Sequence, residues 1–193
     1  VIAAHEKSAA DITFVTKTLA PDYTAKHPQL MVSTVAGKIA DMALSDSYSE
    51  RVPELSLNIF VMKTNYLRKL IADAEAAGIE SLTEMMLRGY KYANYRTYSF
   101  GGYVASVSSF LDYFRCSVDL AKNEKAREEL LWKKDAPIFT KVHNSTPTVY
   151  HPGAEIADSM IADDCEIEGT VINSVLFRGV KVAKGAVVSN CVL

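Results

Sequence analysis

The sequence lacks the motifs of the common phosphate-binding, metal-binding and nucleophilic sites. Neither GxxxxGK nor GxGxxG occurs, which excludes the usual glycine-rich phosphate loops. No GxSxG motif and no Cys/His pattern indicates a nucleophile. The four histidines have no cysteine or carboxylate at the spacing of metal ligands, so they are interpreted as surface or linker residues: His5, His27, His143 and His151. The residues alone therefore predict no catalytic residue, no metal ligand and no cofactor in this chain.

The sequence has no large excess of positive or negative charge, and its apolar runs are short. The 193 residues carry 21 basic and 23 acidic side chains, so no electrostatic argument supports a nucleic acid or an anionic membrane as partner. No uncharged apolar run reaches the roughly 18 residues that a membrane helix requires. Three cysteines without a CxxC pair indicate reduced thiols, which predicts a cytoplasmic location: Cys116, Cys165 and Cys191.

Strand and helix patterns alternate along the first two thirds of the chain. We expect a strand at 10–19, a hairpin at 30–44 that turns at Ala36-Gly37, and a strand at 54–63 buried on both faces. Helices are predicted from Thr64 to Gly78, from Ser81 to Gly89, along the apolar spacing of Val107, Phe110, Leu111, Phe114 and Val118, and at about 123–132. Thr64 and Ser81 are expected to cap the helices that they begin, and the apolar stripe of the first helix is Leu67, Leu70, Ile71 and Ala74. This order predicts an α/β domain at 1–136, followed by a proline-spaced linker at 137–153.

The last part of the chain repeats itself. Asp158-Ser159-Met160-Ile161 returns as Asn173-Ser174-Val175-Leu176 and again as Asn190-Cys191-Val192-Leu193, at spacings of 15 and 17 residues. Aliphatic residues also recur six apart, as at Leu176, Val182 and Val188. Cys165 and Cys191 fall within the repeat and are expected to be small packing residues. A short fixed period is typical of a solenoid, and a period of six predicts the left-handed parallel β-helix, here at 154–193. A pair of β-hairpins is the alternative, although hairpins alternate with period two.

Both ends of the sequence look cut. Roughly two coils are spelled out where a solenoid needs about three, and the chain ends on apolar Val192 and Leu193. It also begins at Val1, with no methionine and no signal peptide. We expect a fragment of a longer protein.

Six segments resemble motifs of bacterial ADP-glucose pyrophosphorylase, which is glucose-1-phosphate adenylyltransferase. They are 5–13 (HxExxADxT), 32–39 (VDxxGRI), 55–61 (SMGIYVF), 113–120 (YWEANMDL), 137–142 (PIYTR) and 168–178 (EGTVENSVLFR). The resemblance implies the second half of a nucleotidyltransferase domain, of the mononucleotide-binding type with a mixed sheet, followed by the first coils of the left-handed β-helix. The glycine-rich segment that holds ATP in this family is missing from the chain.

The resemblance also implies that charged site residues have been lost. Ser45 stands in place of the lysine that binds the sugar phosphate, and Ser106 in place of the aspartate that holds the catalytic Mg²⁺. Asn58 replaces a glycine next to the sugar, and Ser56 is the sugar-site residue that matches the family. Joining two phosphates requires cations to offset their repulsion, so both losses together indicate a noncatalytic subunit.

The family contains a regulatory subunit of this kind beside the catalytic one. The resemblance therefore implies a catalytic ADP-glucose pyrophosphorylase subunit as partner, in a hetero- or homo-tetramer, with Mg²⁺ needed by that partner. The catalytic subunit itself is the first alternative and would require Lys38 or Asp41 to occupy the charged positions. A hexapeptide-repeat acyltransferase is the alternative of another class, but no histidine follows His151 to serve between coils. A sugar nucleotidyltransferase for another nucleotide, of the mannose or uridine type, is the last alternative.

Overall fold

The computed structural model describes residues 1–139, 141 and 143–193. Thr140 and Val142, which belong to the predicted linker, lie outside the described residues. The chain divides into two compact units, Val1–Gly101 and Gly102–Leu193, and each is described by itself. Within the described residues, no helix is long and apolar enough to cross a membrane.

The first unit combines helices with one mixed sheet of parallel and antiparallel strands. Its elements are α1 (Ile2–Ser8), β1 (Ile12–Thr18), β2 (Thr24–Val35), β3 (Lys38–Ser47), β4 (Glu54–Met62), α2 (Thr64–Ala77), α3 (Leu82–Gly89) and β5 (Tyr95–Ser99). The strand order is β1-β4-β2-β3-β5, and β5 returns to pair in parallel with β1, which closes the sheet. A single pair, Lys38 with Arg96, joins β3 to β5. The prediction of a mixed α/β fold is confirmed.

The hairpin between β2 and β3 turns where the sequence predicted. Ala36 and Gly37 both have positive φ, 51° and 73°. Two consecutive positive φ angles give a turn whose twist matches the two strands, which is why a glycine is favoured there.

Strand β4 lies between β1 and β2, as a central strand should, but its middle is not buried. Phe14 pairs with Phe60 and Thr16 pairs with Ser56, so three residues of β4 lie opposite one residue of β1. This bulge turns Asn58 and Ile59 toward solvent. The expectation of burial on both faces is therefore wrong at the centre of the strand, because an apolar run does not reveal a bulge.

Helices α2 and α3 contribute the buried residues Leu70, Met85 and Met86 to the main core. Ser81 caps α3 by accepting a hydrogen bond from the backbone N–H of Glu84 at 3.3 Å, as predicted. Thr64 does not cap α2, because the helix already begins at Thr64 and its capping position is Lys63. Ile71, predicted on the buried stripe, is exposed. The other buried members of this core are Ile12, Phe14, Leu30, Val32, Ile39, Met42 and Tyr95.

The second unit combines two helices with a solenoid of parallel strands. The helices are α4 (Phe110–Lys122) and α5 (Glu124–Leu130); the strands are β6 (Val149–Tyr150), β7 (Glu155–Ala157), β8 (Met160–Ile161), β9 (Glu166–Ile167), β10 (Thr170–Ile172), β11 (Val175–Leu176), β12 (Lys181–Val182) and β13 (Val187–Ser189). They stack as β6-β9-β12, β7-β10-β13 and β8-β11. Val192 extends the last stack by bridging Val175.

The solenoid has three layers where the sequence spelled out about two. The additional strand is β6, which lies within the segment assigned to the linker and pairs with β9. Helices α4 and α5 belong to the same compact unit as the solenoid. The predicted domain limits at 136 and 153 stay predictions.

The interior of the solenoid follows the hexapeptide pattern. Its buried members are Cys165, Ile167, Val171, Leu176 and Val182. Cys165 was expected to be a small packing residue and is buried, whereas Cys191 is only half-buried.

The expected apolar stripe of α4 is partly wrong. Val107 precedes the helix, and Phe110 and Leu111 are exposed, so the buried side of this segment is narrower than its spacing suggests.

One corner of the solenoid is held by a ladder of small polar residues. Asp158, Asn173 and Asn190 each have φ between 45° and 53°, the left-handed conformation that Asn and Asp tolerate well. Ser159 Oγ accepts from the backbone N–H of Ser174, and Ser174 Oγ accepts from that of Cys191, both at 3.1 Å. The repeated dipeptide that marked the sequence repeat thus makes the turn and bonds one coil to the next.

Candidate functional site

Ser56 and Asn58 lie together at the bulge of β4. Ser56 is buried beside Thr16, and its Oγ accepts a hydrogen bond from the backbone N–H of Asn58 at 3.4 Å. Asn58 has φ of 56° and is exposed. The resemblance expects glycine at this position, and the left-handed backbone explains why glycine or asparagine suits it. The Asn58 side chain nevertheless adds bulk and polarity where glycine would leave the backbone open.

A carboxylate next to Ser56 was not anticipated from the sequence. Glu54 Oε2 accepts a hydrogen bond from Thr16 Oγ1 at 2.7 Å, and Glu54 Oε1 accepts one from Thr34 Oγ1 at 3.0 Å. Both carboxylate oxygens are therefore oriented by neighbouring strands, close to the position that the resemblance assigns to a sugar. The signal was present, because Glu54 is the one charged residue of β4 and stands at its first position.

Ser45 lies near the end of β3 and is half-buried. It pairs with Gln29 of β2, and its Oγ donates a hydrogen bond to the backbone carbonyl of Ser47 at 2.9 Å. The hydroxyl thus has a local partner on its own strand. A neutral hydroxyl cannot compensate the charge of a phosphate as a lysine would.

Ser106 is exposed in the segment that precedes α4, in the second unit. Ser108 and Ser109 follow, just before α4, and both hydrogen-bond Asp112 in the first turn of the helix. Asp112 Oδ2 accepts from Ser108 Oγ at 2.7 Å and from Ser109 Oγ at 2.8 Å, and Ser109 Oγ accepts from the Asp112 N–H at 3.1 Å. The Ser108 hydrogen bond, followed by that of Ser109, lowers the pKa of Asp112. The carboxylate six residues after Ser106 is therefore occupied in capping a helix.

The Mg²⁺ that the resemblance implies does not fit these residues. Magnesium takes carboxylate and phosphate oxygens, whereas Ser106 offers an uncharged hydroxyl and Asp112 is held by two serines. The described residues contain no group of three or more His, Cys, Asp or Glu side chains arranged to hold a metal ion.

Of the alternative charged residues, Lys38 and Asp41, the second is also engaged in structure. Asp41 forms an ion pair with Arg51 and accepts a hydrogen bond from Tyr90 Oη at 3.2 Å. The Arg51 hydrogen bond is the main reason that the pKa of Asp41 is lowered. Lys38 lies at the first position of β3, opposite Arg96.

Comparison with known proteins gives matches of two kinds. The family described as "GlmU-like, C-terminal hexapeptide" matches residues 146–193. The chain is 32% identical over 130 residues to "Glycogen biosynthesis protein GlgD" of Bacillus subtilis (strain 168), covering 67% of this chain and 37% of that protein. It is 39% identical over 133 residues to the GlgD of Geobacillus stearothermophilus, covering 69% and 38%.

A "Glucose-1-phosphate adenylyltransferase" from Mycoplasma mobile is 33% identical over 100 residues, covering 52% of this chain and 26% of that protein. The chain thus spans little more than a third of the length of the two GlgD proteins. Its homologues include proteins of both names, with a hexapeptide domain of the GlmU-like kind.

Proposed function

We propose that this homologue of the GlgD proteins and glucose-1-phosphate adenylyltransferases is part of a noncatalytic, regulatory subunit of that adenylyltransferase in glycogen biosynthesis. The observation that carries the proposal is the hydrogen bonding around the predicted site positions. Ser45 bonds its own strand, and the serines that follow Ser106 bond Asp112 to cap a helix. Ser45 and the serines after Ser106 thus serve the fold, while Ser45 and Ser106 themselves lack the charges that the resemblance expects for substrates.

The reaction explains why such charges matter. The adenylyltransferase joins glucose-1-phosphate to the adenylyl group of ATP and releases diphosphate, so two anionic phosphates must approach. Cations that offset this repulsion contribute a large share of the catalysis of phosphoryl and nucleotidyl transfer. A subunit with two neutral serines at the two charged positions would bind the sugar phosphate weakly and would not hold the metal.

The proposal includes the finer features of the fold. Residues 1–136 would be the second half of a nucleotidyltransferase domain, and the solenoid would be left-handed. The corner residues with positive φ and the aliphatic residues at every sixth position support the second point. A cytoplasmic location also belongs to the proposal, supported by three free thiols.

A subunit without chemistry can act only through assembly. It raises the activity of a catalytic partner by binding the partner's active conformation more tightly, and the shift cannot exceed that difference in affinity. We therefore expect a hetero-oligomer with the catalytic subunit, in which this protein alters kcat, substrate affinity or the response to an effector.

The test uses the gene product that contains this chain, purified alone and mixed with the catalytic subunit of the same organism. Alone, it should form no ADP-glucose. Mixed at micromolar concentration, the two should co-elute with changed kinetics. Kinetics identical to those of the catalytic subunit alone, or no association, would contradict the regulatory role.

The catalytic subunit of the same enzyme is the second candidate. It is favoured by the match to the Mycoplasma mobile adenylyltransferase, because that protein is 33% identical to this chain and the Bacillus subtilis GlgD is 32% identical. Turnover by the purified gene product alone, in protein free of host enzyme, would support this candidate.

A further inference from the structure

A cleft of about 330 Å³ opens between helices α2 and α3 of the first unit. Its volume is at the lower end of the range of small-molecule sites, about 300 to 1,000 Å³. The buried side chains of Leu70 and Met85, together with Ala93, form an apolar floor. None of its lining residues belongs to the predicted sugar or metal positions, so the cleft is separate from the candidate site.

The inner wall carries a pair of phenols. Tyr66 Oη and Tyr95 Oη lie 2.7 Å apart, and Tyr95 is completely buried. Two hydroxyls share one hydrogen bond, so one proton remains to be donated elsewhere, and Tyr66 is the phenol that lines the cleft. Burial raises the pKa of both tyrosines, so both hydroxyls stay protonated at neutral pH.

Gly89 gives this pair its space. A Cβ at Gly89 would lie 3.1 Å from Tyr95 Oη and 3.4 Å from Tyr66 Oη. The absence of a side chain at the end of α3 lets both hydroxyls approach the helix backbone beside the cleft.

The charged residues of the rim leave one positive charge in excess. Lys69 and Asp73 both line the cleft and neutralise each other at 2.6 Å. Arg88 also lines it, but its partner Glu84, at 2.7 Å, does not. The Arg88–Glu84 pair is exposed, and exposed ion pairs are weak, so Arg88 is free to exchange this partner for an anion in the cleft.

An aromatic ring stands at the mouth. Tyr92 lines the cleft although 89% of its surface is exposed. An exposed ring beside an apolar floor is suited to stack on another planar ring, and such stacking is favourable for many kinds of ring.

We propose that the α2–α3 cleft binds a small molecule with a planar aromatic ring and one anionic group. The ring would lie on Leu70 and Met85 and stack on Tyr92, while the anion would meet Arg88 and the Tyr66 hydroxyl. The site does not depend on the proposed regulatory function, because no residue of the predicted sugar or metal positions takes part.

The probe for the test is 2-naphthoate, titrated into the gene product that contains this chain and followed by calorimetry and by protein-detected NMR. Its neutral analogue 2-naphthylmethanol and the ring-free anion acetate separate the two parts of the ligand. We expect saturable 1:1 binding of 2-naphthoate, with both analogues about tenfold weaker or more, since a charged hydrogen bond and a ring stack each contribute that much.

Variants locate the site. Arg88→Met and Tyr92→Ala should each weaken 2-naphthoate binding by about tenfold. Both side chains are exposed, so the fold should persist, which circular dichroism will verify. Arg68→Met, which removes an exposed cation of α2 outside the cleft, should leave the affinity within about twofold. No saturable binding to the unaltered protein, or equal affinity in all three variants, would overturn the proposal.

Discussion

Gly169 is the position where a single methyl group should damage the solenoid most. It is buried between two coils, and a Cβ there would lie 2.3 Å from the carbonyl oxygen of Ala186 and 2.6 Å from that of Ala183. Both obstacles are backbone atoms, so no side chain can rotate away. In Gly169→Ala the coil that carries Ala183 and Ala186 must move outward.

The magnitude follows from the contacts that this movement breaks. Overpacking a core costs about 1 to 3 kcal/mol. The hydrogen bond from the Thr170 N–H to Ala186 O, 2.9 Å long, would also be strained, which adds about 1 kcal/mol. Gly169→Ala should therefore cost about 2 to 4 kcal/mol, a large fraction of the roughly 5 to 15 kcal/mol that stabilises a domain.

Gly185 supplies the matched controls in the same solenoid. Its φ is 77° and nothing lies within 4 Å of a Cβ built there. Gly185→Ala introduces backbone strain without a clash and should cost about 1 kcal/mol. Gly185→Asn should cost less, about 0.5 kcal/mol, because asparagine tolerates the left-handed conformation, as Asn173 and Asn190 show at other corners.

The assay is labelling of the buried Cys165 thiol, measured peptide by peptide with mass spectrometry. Cys165 lies inside the solenoid and reacts only when the coils open, so its labelling rate reports this part of the chain. A cost of 2 to 4 kcal/mol corresponds to labelling about 30 to 700 times faster. If Gly169→Ala accelerates labelling less than Gly185→Ala does, the stacking of these coils is not as described.

Three further predictions concern a helix cap, the solenoid core and the lost charges. Hydrogen bonds lower the pKa of Asp112 in the folded protein, so its contribution to folding stability is present above its unfolded pKa of about 3.9 and is lost as the pH falls through the lower folded value. Asp112→Asn should flatten this dependence of stability on acid pH, measured by circular dichroism. Ile167→Ala should cost about 2 to 5 kcal/mol by urea unfolding because Ile167 is fully buried, whereas Ile172→Ala at an exposed site should cost under about 1 kcal/mol. In the gene product that contains this chain, Ser45→Lys with Ser106→Asp should raise adenylyltransferase turnover by more than the product of the single changes, and multiplicative or absent gains would contradict the assignment of these positions.

The features of the fold that the sequence predicted are those with a local or periodic signal. The turn at Ala36-Gly37, the cap at Ser81 and the six-residue period of the solenoid each depend on a few neighbouring residues. The β4 bulge was missed because it arises from the register between two strands, and neither strand encodes that register alone. The exposure of Phe110 was missed for the same reason, since a helical spacing does not state which neighbour covers it.

The candidate site was harder to predict than the fold, because its chemistry depends on where each hydroxyl finds a partner. The sequence located Ser56 and Asn58 through the resemblance, but not the Glu54 carboxylate that Thr16 and Thr34 hold beside them. Those three residues come from three strands, so only the folded sheet brings them together.

A charged residue that binds a substrate commonly has few hydrogen-bond partners within the protein, because its partner is the ligand. Ser45 and the serines that follow Ser106 show the opposite arrangement, since their hydroxyls bond a strand carbonyl and a capping carboxylate of this chain. Restoring Asp at Ser106 would place a second carboxylate six residues before Asp112, where two serines already hold one. Turnover requires the metal at one position and the sugar phosphate at the other in the same reaction, which is the physical reason to expect the two charge restorations to act as a unit.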